Sequence, residues 1–104
     1  MIYVIDCTDK IGHLQTRLDN REAHLSYLAG FDGQLIMAGP FLSATGDMIG
    51  SMLIMEFETL QDAELFCAND PYQLAGLFSE VAIRPWRQTL PAPESRSGVG
   101  PSGL

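Results

Sequence analysis

The sequence predicts an α+β fold in which four strands and two helices follow the order β-α-β-β-α-β. Three observations support this order: four runs of β-branched, aromatic or other apolar residues, two segments with helical apolar spacing, and a loop rich in small and polar residues between the second and third strands. Right-handed connections convert the order into a ferredoxin-like fold, a four-stranded antiparallel sheet with both helices on one face.

The first strand and the first helix occupy the N-terminal third of the chain. Residues 2–7 form a β-branched and aromatic run, which is typical of a strand. Residues 19–22, Asp-Asn-Arg-Glu, resemble a capping box, so we expect the main helix to start there, preceded at most by one turn around Leu14 and Leu18. Four residues at helical spacing then share one face: His24, Leu25, Leu28 and Phe31.

The second and third strands are predicted to form a hairpin. Residues 34–38 read as a strand, which the Gly39-Pro40 pair is expected to break. Residues 42–46 form the loop, and residues 48–57 are a long apolar run that predicts the third strand.

A second helix and a fourth strand complete the predicted fold. Thr59 and Asp62 form an N-terminal cap, after which Leu60, Ala63, Phe66 and Cys67 supply an apolar helical face. Asp70 precedes a proline and therefore ends this helix. We expect one further turn over residues 71–75 and the last strand over residues 76–86.

The 104 residues divide into one folded domain, residues 1–90, and a tail, residues 91–104. The tail is dominated by proline, glycine and serine and holds only two charged residues, Glu94 and Arg96. Such a segment buries too little apolar surface to offset its loss of conformational entropy on ordering. We therefore predict a flexible extension.

The charge of the chain excludes several classes of partner. A net charge of −7, with six scattered basic residues against thirteen acidic ones, argues against nucleic acid and against an anionic membrane surface. The longest apolar run, residues 48–55, is far shorter than the roughly 20 residues that a membrane span requires. Two cysteines and a start that reads directly as a strand fit the reducing cytoplasm.

The apolar strands predict a homodimer. Residues 35–38 and 52–55 are apolar on both faces, as in strands that are covered on both sides. Two helices cover only one face of the sheet, and an exposed second face would leave an unusually large apolar patch. The simplest cover is the same face of a second copy.

Short motifs in a fixed order support a family resemblance. They are Arg17-Leu18, Arg21, His24-Leu25, Ala38-Gly39-Pro40, Gly50-Ser51, residues 56–60, Asp70-Pro71-Tyr72, Ala75-Gly76 and Pro85-Trp86. Over residues 1–86 the sequence thereby resembles the YCII-related (YciI-like) family. The resemblance implies a dimeric α+β barrel and a cleft that holds a histidine and an aspartate, here His24 and Asp70. It also implies that some relatives eliminate halide from chlorinated hydroxyquinols, although most have no assigned reaction.

His24 and Asp70 each allow two interpretations. An imidazole titrates near pH 6.5 and suits proton transfer, but a histidine on an apolar helical face is also a common structural residue. Asp70 before Pro71 is a favoured helix cap, and a capping carboxylate retains lone pairs with which to orient an imidazole. The functional hypothesis is that Asp70 orients His24 for general acid/base catalysis.

Three more residues are candidates for substrate binding. Tyr72 lines the cleft or donates a hydrogen bond, Ser51 offers a hydroxyl, and Arg21, nearly one helical turn before His24, attracts an anion. Each also has a structural alternative: ring packing, a strand hydroxyl without a nucleophile motif, and a solvent-facing arginine. The chain lacks a metal-ligand cluster and a Gly-rich phosphate loop, so we expect neither a metal nor another cofactor.

Two functional classes compete on these observations. The first is a cofactor-independent enzyme that performs elimination or isomerisation on a small, aromatic or enolisable metabolite. The second is a non-catalytic dimer that binds such a metabolite in an accessory role. A cofactor-free or haem-using oxygenase is related through the barrel fold alone.

Overall fold

The computed structural model describes residues 1–93. Its elements, in chain order, are β1 (Ile2–Asp9), α1 (Leu14–Ala29), β2 (Leu35–Leu42), β3 (Met48–Glu56), α2 (Leu60–Ala68), α3 (Pro71–Leu74) and β4 (Phe78–Trp86). The predicted order is confirmed, and α3 is the expected single turn before the last strand. The prediction of a flexible tail falls mainly on residues 94–104, which lie outside the described residues.

The four strands form one antiparallel sheet in the order β2-β3-β1-β4. In the pairing of the two central strands, Tyr3 lies opposite Met55 and Ile5 lies opposite Leu53. These four side chains are at most 5% exposed and belong to the core. Because side chains alternate along a strand, the register places every second residue of the central strands beneath the helices. The ferredoxin-like fold is therefore confirmed.

The core fills the space between this face of the sheet and the helices. Leu28 of α1 and Ala63 and Phe66 of α2 are buried against it. At one end, four aromatic rings contact one another at centroid distances of 4.8 to 6.5 Å: Tyr27, Phe31, Phe57 and Phe66. Phe57 and Phe66 are buried, and burial of each of these two side chains stabilises the fold by about 1.5–3 kcal/mol. This packing fixes α1 over the sheet and so sets the position of His24.

The first helix begins earlier than the sequence predicted. It runs without interruption from Leu14, and its N-cap residue, His13, makes no side-chain cap. The residues interpreted as a capping box lie inside the helix, where the Asn20 amide donates to the Thr16 carbonyl over 2.8 Å. The capping-box prediction was wrong because these polar side chains make hydrogen bonds one helical turn back rather than at a terminus.

The second strand also departs from the prediction. It continues through Gly39 and Pro40 to Leu42 instead of breaking there. β2 lies at the edge of the sheet and has a neighbouring strand on one side only. A proline is tolerated in such a strand because its missing N–H can lie on the side where no strand pairs. The prediction that Gly39-Pro40 ends the second strand was therefore wrong.

The sheet face opposite the helices has an apolar centre, with Asp6 and Arg84 on the same face. By strand alternation it presents Val4, Met37, Met52 and Ile54, and Met37 is 60% exposed in the single chain. The composition of this face agrees with the pattern that predicted a partner sheet, and the homodimer itself stays a prediction. Among residues 1–93, the helices are too short or too polar to cross a membrane.

Candidate active site

His24 and Asp70 form a buried pair between α1 and the start of α3. The imidazole Nδ1 lies 2.8 Å from Oδ1 of Asp70, and the two residues are 7% and 3% exposed. Because a carboxylate is only an acceptor, this hydrogen bond places the proton on Nδ1 and leaves Nε2 with a free lone pair. The arrangement can hold one tautomer of the imidazole in a fixed orientation.

Asp70 is itself held by the backbone. It is the N-cap of α3, with extended φ and ψ of −62° and 128°, and its Oδ1 accepts the Tyr72 amide N–H over 2.9 Å. Pro71 occupies the first helical position, where its fixed φ suits the turn. The same oxygen thus caps α3 and accepts from His24, so the structural and functional interpretations of Asp70 are compatible.

Tyr72 lies flat against the imidazole. The two rings are stacked at a centroid distance of 4.0 Å and an interplanar angle of 16°, and Tyr72 is 2% exposed. Its other contacts are an edge-on contact with Phe78 and the guanidinium carbon of Arg17, which lies 4.6 Å from the ring centroid. Burial raises the pKa of Tyr72, and the charges of Arg17 and Arg21 oppose that rise.

Arg17 joins α1 to two strands through a buried network. Its Nε and Nη2 donate to the two carboxylate oxygens of Asp9 over 2.7 and 2.8 Å, and Nη2 also donates to the Ser51 hydroxyl over 2.9 Å. Arg17 and Ser51 are 2% and 4% exposed. Burial alone would lower the pKa of Arg17, but the hydrogen bond and charge of Asp9 outweigh it and raise that pKa. The guanidinium stays charged throughout the accessible pH range.

These groups meet at one pocket of about 170 Å³ between α1 and the β2–β3 half of the sheet. One wall is formed by α1, with Arg17, Arg21 and His24, and the opposite wall by Pro40, Ser51 and Leu53. Tyr72 completes the polar part of the lining, whereas Leu25, Leu28 and Met48 contribute apolar surface. A pocket with an apolar lining and a few convergent polar groups is the usual form of a small-molecule site.

All five residues selected from the sequence belong to this site. Arg21, Ser51 and Tyr72 line the pocket together with His24, and Asp70 lies behind the imidazole. Their roles in binding and catalysis stay predictions. Leu25, expected on the buried helical face, is 46% exposed and lies at the rim instead.

Two further residues of the site, Arg17 and Asp9, were not among those predicted from the sequence. A usable signal was present, since Arg17, Arg21 and His24 stand at i, i+4 and i+7 and therefore share one helix face. The contribution of Asp9 depends on the register of β1 against α1, which no local pattern specifies.

The two cysteines lie outside the pocket lining. Burial raises the pKa of both thiols, that of Cys67 to about 12, with the Asp70 charge as a further cause for each. Both are free thiols, and neutral thiols of this kind are poor nucleophiles. Residues 1–93 contain no group of three or more His, Cys, Asp or Glu side chains arranged to hold a metal ion.

Comparison with known proteins identifies close relatives of the chain. The YCII-related domain matches residues 1–87. Protein YciI of Escherichia coli is 35% identical over 98 residues, which span 86% of this chain and all of that protein.

Solved structures agree with this match. The 5-chloro-2-hydroxyhydroquinone dehydrochlorinase of Burkholderia phenoliruptrix, solved with 2,5-dihydroxybenzoquinone, is 41% identical, with a TM-score of 0.82 over 85% of this chain and 95% of the enzyme. A NIPSNAP family protein of Agrobacterium tumefaciens, 22% identical with a TM-score of 0.55 over 88% of this chain and 95% of its own, shares the fold.

Proposed function

The chain belongs to the YCII-related family, and we propose that it is a homodimeric enzyme in which His24 and Asp70 perform acid/base chemistry on a small ring metabolite. The observation that supports this most strongly is the buried 2.8 Å hydrogen bond between the two side chains at the wall of a pocket. The reaction class is elimination or isomerisation. A dehydrochlorinase that is 41% identical over most of its length supports this choice of chemistry.

His24 is the proton carrier in this proposal. With the Nδ1 proton held by Asp70, Nε2 accepts a proton from a hydroxyl or from a carbon next to a carbonyl group. The resulting imidazolium is stabilised by the Asp70 carboxylate and by the face of Tyr72.

The electron balance of both reactions closes without an oxidant. In an elimination the electron pair left by the proton forms a double bond, and the leaving group departs with its own bonding pair. In an isomerisation the proton returns from the imidazolium to another atom of the same molecule. Elimination therefore removes one proton and one leaving group from the substrate, whereas isomerisation leaves its molecular formula unchanged.

Arg17 and Ser51 stabilise the negative charge that develops on a substrate oxygen. The Ser51 oxygen accepts from Nη2 of Arg17, so its own hydrogen is directed elsewhere and is able to donate to an anion. The Arg17 guanidinium also has a side-chain hydrogen bond with Tyr72, so its charge is held beside the Ser51 hydroxyl. Donors that are already fixed before the reaction need little reorganisation when charge develops.

The homodimer is supported by the apolar sheet face that carries Met37 and Met52. Two such faces in contact would remove from water the side chains that a single chain leaves exposed. The pocket lies on the opposite side of the sheet, among the helices, so one site would belong to each subunit.

The test is chloride release from 5-chloro-2-hydroxyhydroquinone by the purified full chain, followed across pH 5 to 9. Wild-type protein should release chloride, and His24→Gln and Asp70→Asn should each lose activity by roughly 10²–10⁴-fold. Because the two act as a unit, the double variant should be little worse than either single variant. His13→Gln, at the other histidine of the chain, is the matched control and should retain wild-type activity.

Two outcomes would count against the proposal. Full activity in His24→Gln would exclude the imidazole as the proton carrier. Binding of halogenated and enolisable ring compounds without turnover of any of them would favour the non-catalytic metabolite-binding dimer.

A further inference from the structure

The two arginines of the pocket differ in what their charges do. Arg17 is buried and its charge is matched by Asp9 at 2.7 Å. Arg21, one helical turn later on the same face of α1, lines the same pocket but is exposed, and among residues 1–93 it has no ion-pair partner. Only Arg21 therefore offers an uncompensated positive charge to a molecule that enters.

The net charge of the site depends on Arg21. Arg17 and Asp9 cancel and Asp70 contributes −1, so in the formal charge count, which takes histidine as uncharged, the site without Arg21 would carry −1. Arg21 brings the sum to zero in a chain whose net charge is −7. Both carboxylates lie behind other groups, and the lining contributed by residues 1–93 includes no acid. An anion thus meets a neutral or positive wall on an otherwise repulsive protein.

The size and lining of the pocket restrict what that anion is. A cavity of roughly 150 Å³ holds one benzene ring in another protein, so about 170 Å³ has room for a single ring with small substituents. Leu25 and Leu28 offer apolar contact for the ring along α1. Leu25 is 46% exposed, which places the apolar surface and Arg21 together at the entrance.

Resting on the proposed function, we propose that Arg21 is the specificity residue of the site and selects ring compounds that bear an anionic substituent such as a carboxylate or phenolate. Its guanidinium holds that substituent at the mouth with paired hydrogen bonds, while the ring enters the apolar part of the pocket. The reacting atoms then face His24, and Arg17 remains with Asp9 and Ser51. Arg21 binds and positions the substrate and takes no part in proton transfer.

The test compares benzoate with benzamide, which share a ring and a size but differ in charge. Dissociation constants are measured by NMR titration of the ¹⁵N-labelled full chain at about 20 mM salt, where an exposed charge is weakly screened. Wild-type protein should bind benzoate about tenfold more tightly than benzamide, the ratio that one charge-assisted contact supplies. In Arg21→Gln the ratio should fall to about one, and in Arg21→Lys it should fall only partly.

Arg87→Gln is the matched control, because it makes the same change of charge at an exposed arginine outside the pocket. It should keep the wild-type ratio within about twofold, since an exposed charge outside the pocket is largely screened. Equal loss in Arg87→Gln, a wild-type ratio near one, persistence of the ratio in Arg21→Gln, or no binding of either probe at millimolar concentration would each overturn the assignment of Arg21.

The binding measurement separates this inference from the proposed catalysis. His24→Gln should lose turnover yet keep the preference for benzoate, since the imidazole is not the anion contact. If turnover survives in His24→Gln while Arg21→Gln abolishes the preference, the acid/base proposal fails and the specificity residue stands. If turnover depends on His24 but the preference for benzoate persists in Arg21→Gln, the acid/base proposal stands and the assignment of Arg21 fails.

Discussion

The guanidinium of Arg17 and the carboxylate of Asp9 share two hydrogen bonds, at 2.7 and 2.8 Å, although their side chains are only 3% and 5% exposed. One partner lies in the first turns of α1 and the other is the last residue of β1. The pair therefore ties the end of β1 to the start of α1 and holds in place the helix that carries the site.

Asp9→Asn should destabilise the fold severely, because it leaves the buried Arg17 charge without its counterion. Loss of one partner of a buried pair costs about 3–5 kcal/mol, a large part of the 5–15 kcal/mol that stabilises an ordinary domain. Urea denaturation monitored by circular dichroism measures the change. Asp19→Asn is the matched control, since its acceptor bond from Gln15 is exposed, and it should cost less than about 0.5 kcal/mol. Equal losses in the two variants would contradict the prediction.

His24 should be the Nδ1–H tautomer at pH 8, because Asp70 accepts from that nitrogen. Long-range ¹H–¹⁵N correlation spectra distinguish the two ring nitrogens directly. In Asp70→Asn the side-chain amide is able to donate to Nδ1, so the population should move toward the Nε2–H form. The His13 signals should not move, since its Nδ1 contacts the Ile11 carbonyl far from the substitution. An Nε2–H tautomer in the wild-type protein would refute the assigned orientation.

Met37→Glu should dissociate the predicted homodimer. Met37 is 60% exposed on the sheet face opposite the helices, so a glutamate there disturbs a single chain little but would place unpaired charges inside a sheet-to-sheet interface. Sedimentation equilibrium at low micromolar concentration should give about twice 11.4 kDa for the wild type and 11.4 kDa for the variant. Ile11→Glu, at a 99% exposed position outside the sheet, should remain dimeric. A monomeric wild-type protein would contradict the predicted homodimer and the dimeric barrel that it would form.

The stability of the fold should decrease at alkaline pH in a manner that depends on Cys67. Burial, followed by the Asp70 charge, raises the pKa of this thiol from 9.0 to about 12. The folded state therefore keeps a proton that the unfolded chain releases above pH 9, and the stabilisation present below pH 9 is lost as the pH rises toward 12. The slope is at most about 1.4 kcal/mol per pH unit for one thiol.

Urea denaturation of Cys67→Ala between pH 8 and 11 measures that contribution. The variant should lose stability less steeply than the wild type above pH 9, whatever its stability at pH 8. Leu65→Ala, at a 55% exposed position on the same helix, should keep the wild-type slope. Identical slopes in the wild type and Cys67→Ala would show that the thiol titrates alike in the folded and unfolded chains.

The element order and the sheet were predictable because apolar periodicity and turn residues are local signals. Two element boundaries were predicted wrongly, the start of α1 at Leu14 and the end of β2 beyond Pro40, and both depend on tertiary structure. Arg17, in the first turn of α1, donates to Asp9 of β1, and Pro40 is tolerated because β2 is an edge strand. Neither fact is visible in a window of neighbouring residues.

The candidate site divides in the same way. His24 and Asp70 were recognisable from residue type and local setting, whereas the Asp9–Arg17–Ser51 network includes a bond between residues 34 positions apart and needs the register of three elements. The sequence also left open which face of β3 holds Leu53. The structure places Leu53 in the core beneath the helices, so a charge there would unfold the single chain and would not report on dimer formation. Met37 is the informative position for that purpose.

The proline in β2 has a counterpart that bears on how the protein resists aggregation. β2 and β4 are the two outer strands of the sheet, and they contain Pro40 and Pro85 respectively. An outer strand normally exposes a row of N–H and C=O groups on which a strand of another molecule is able to form a ladder. Each proline removes one donor from its strand, so a continuous ladder cannot propagate along that border. Open-ended growth into fibres is thereby disfavoured at both borders.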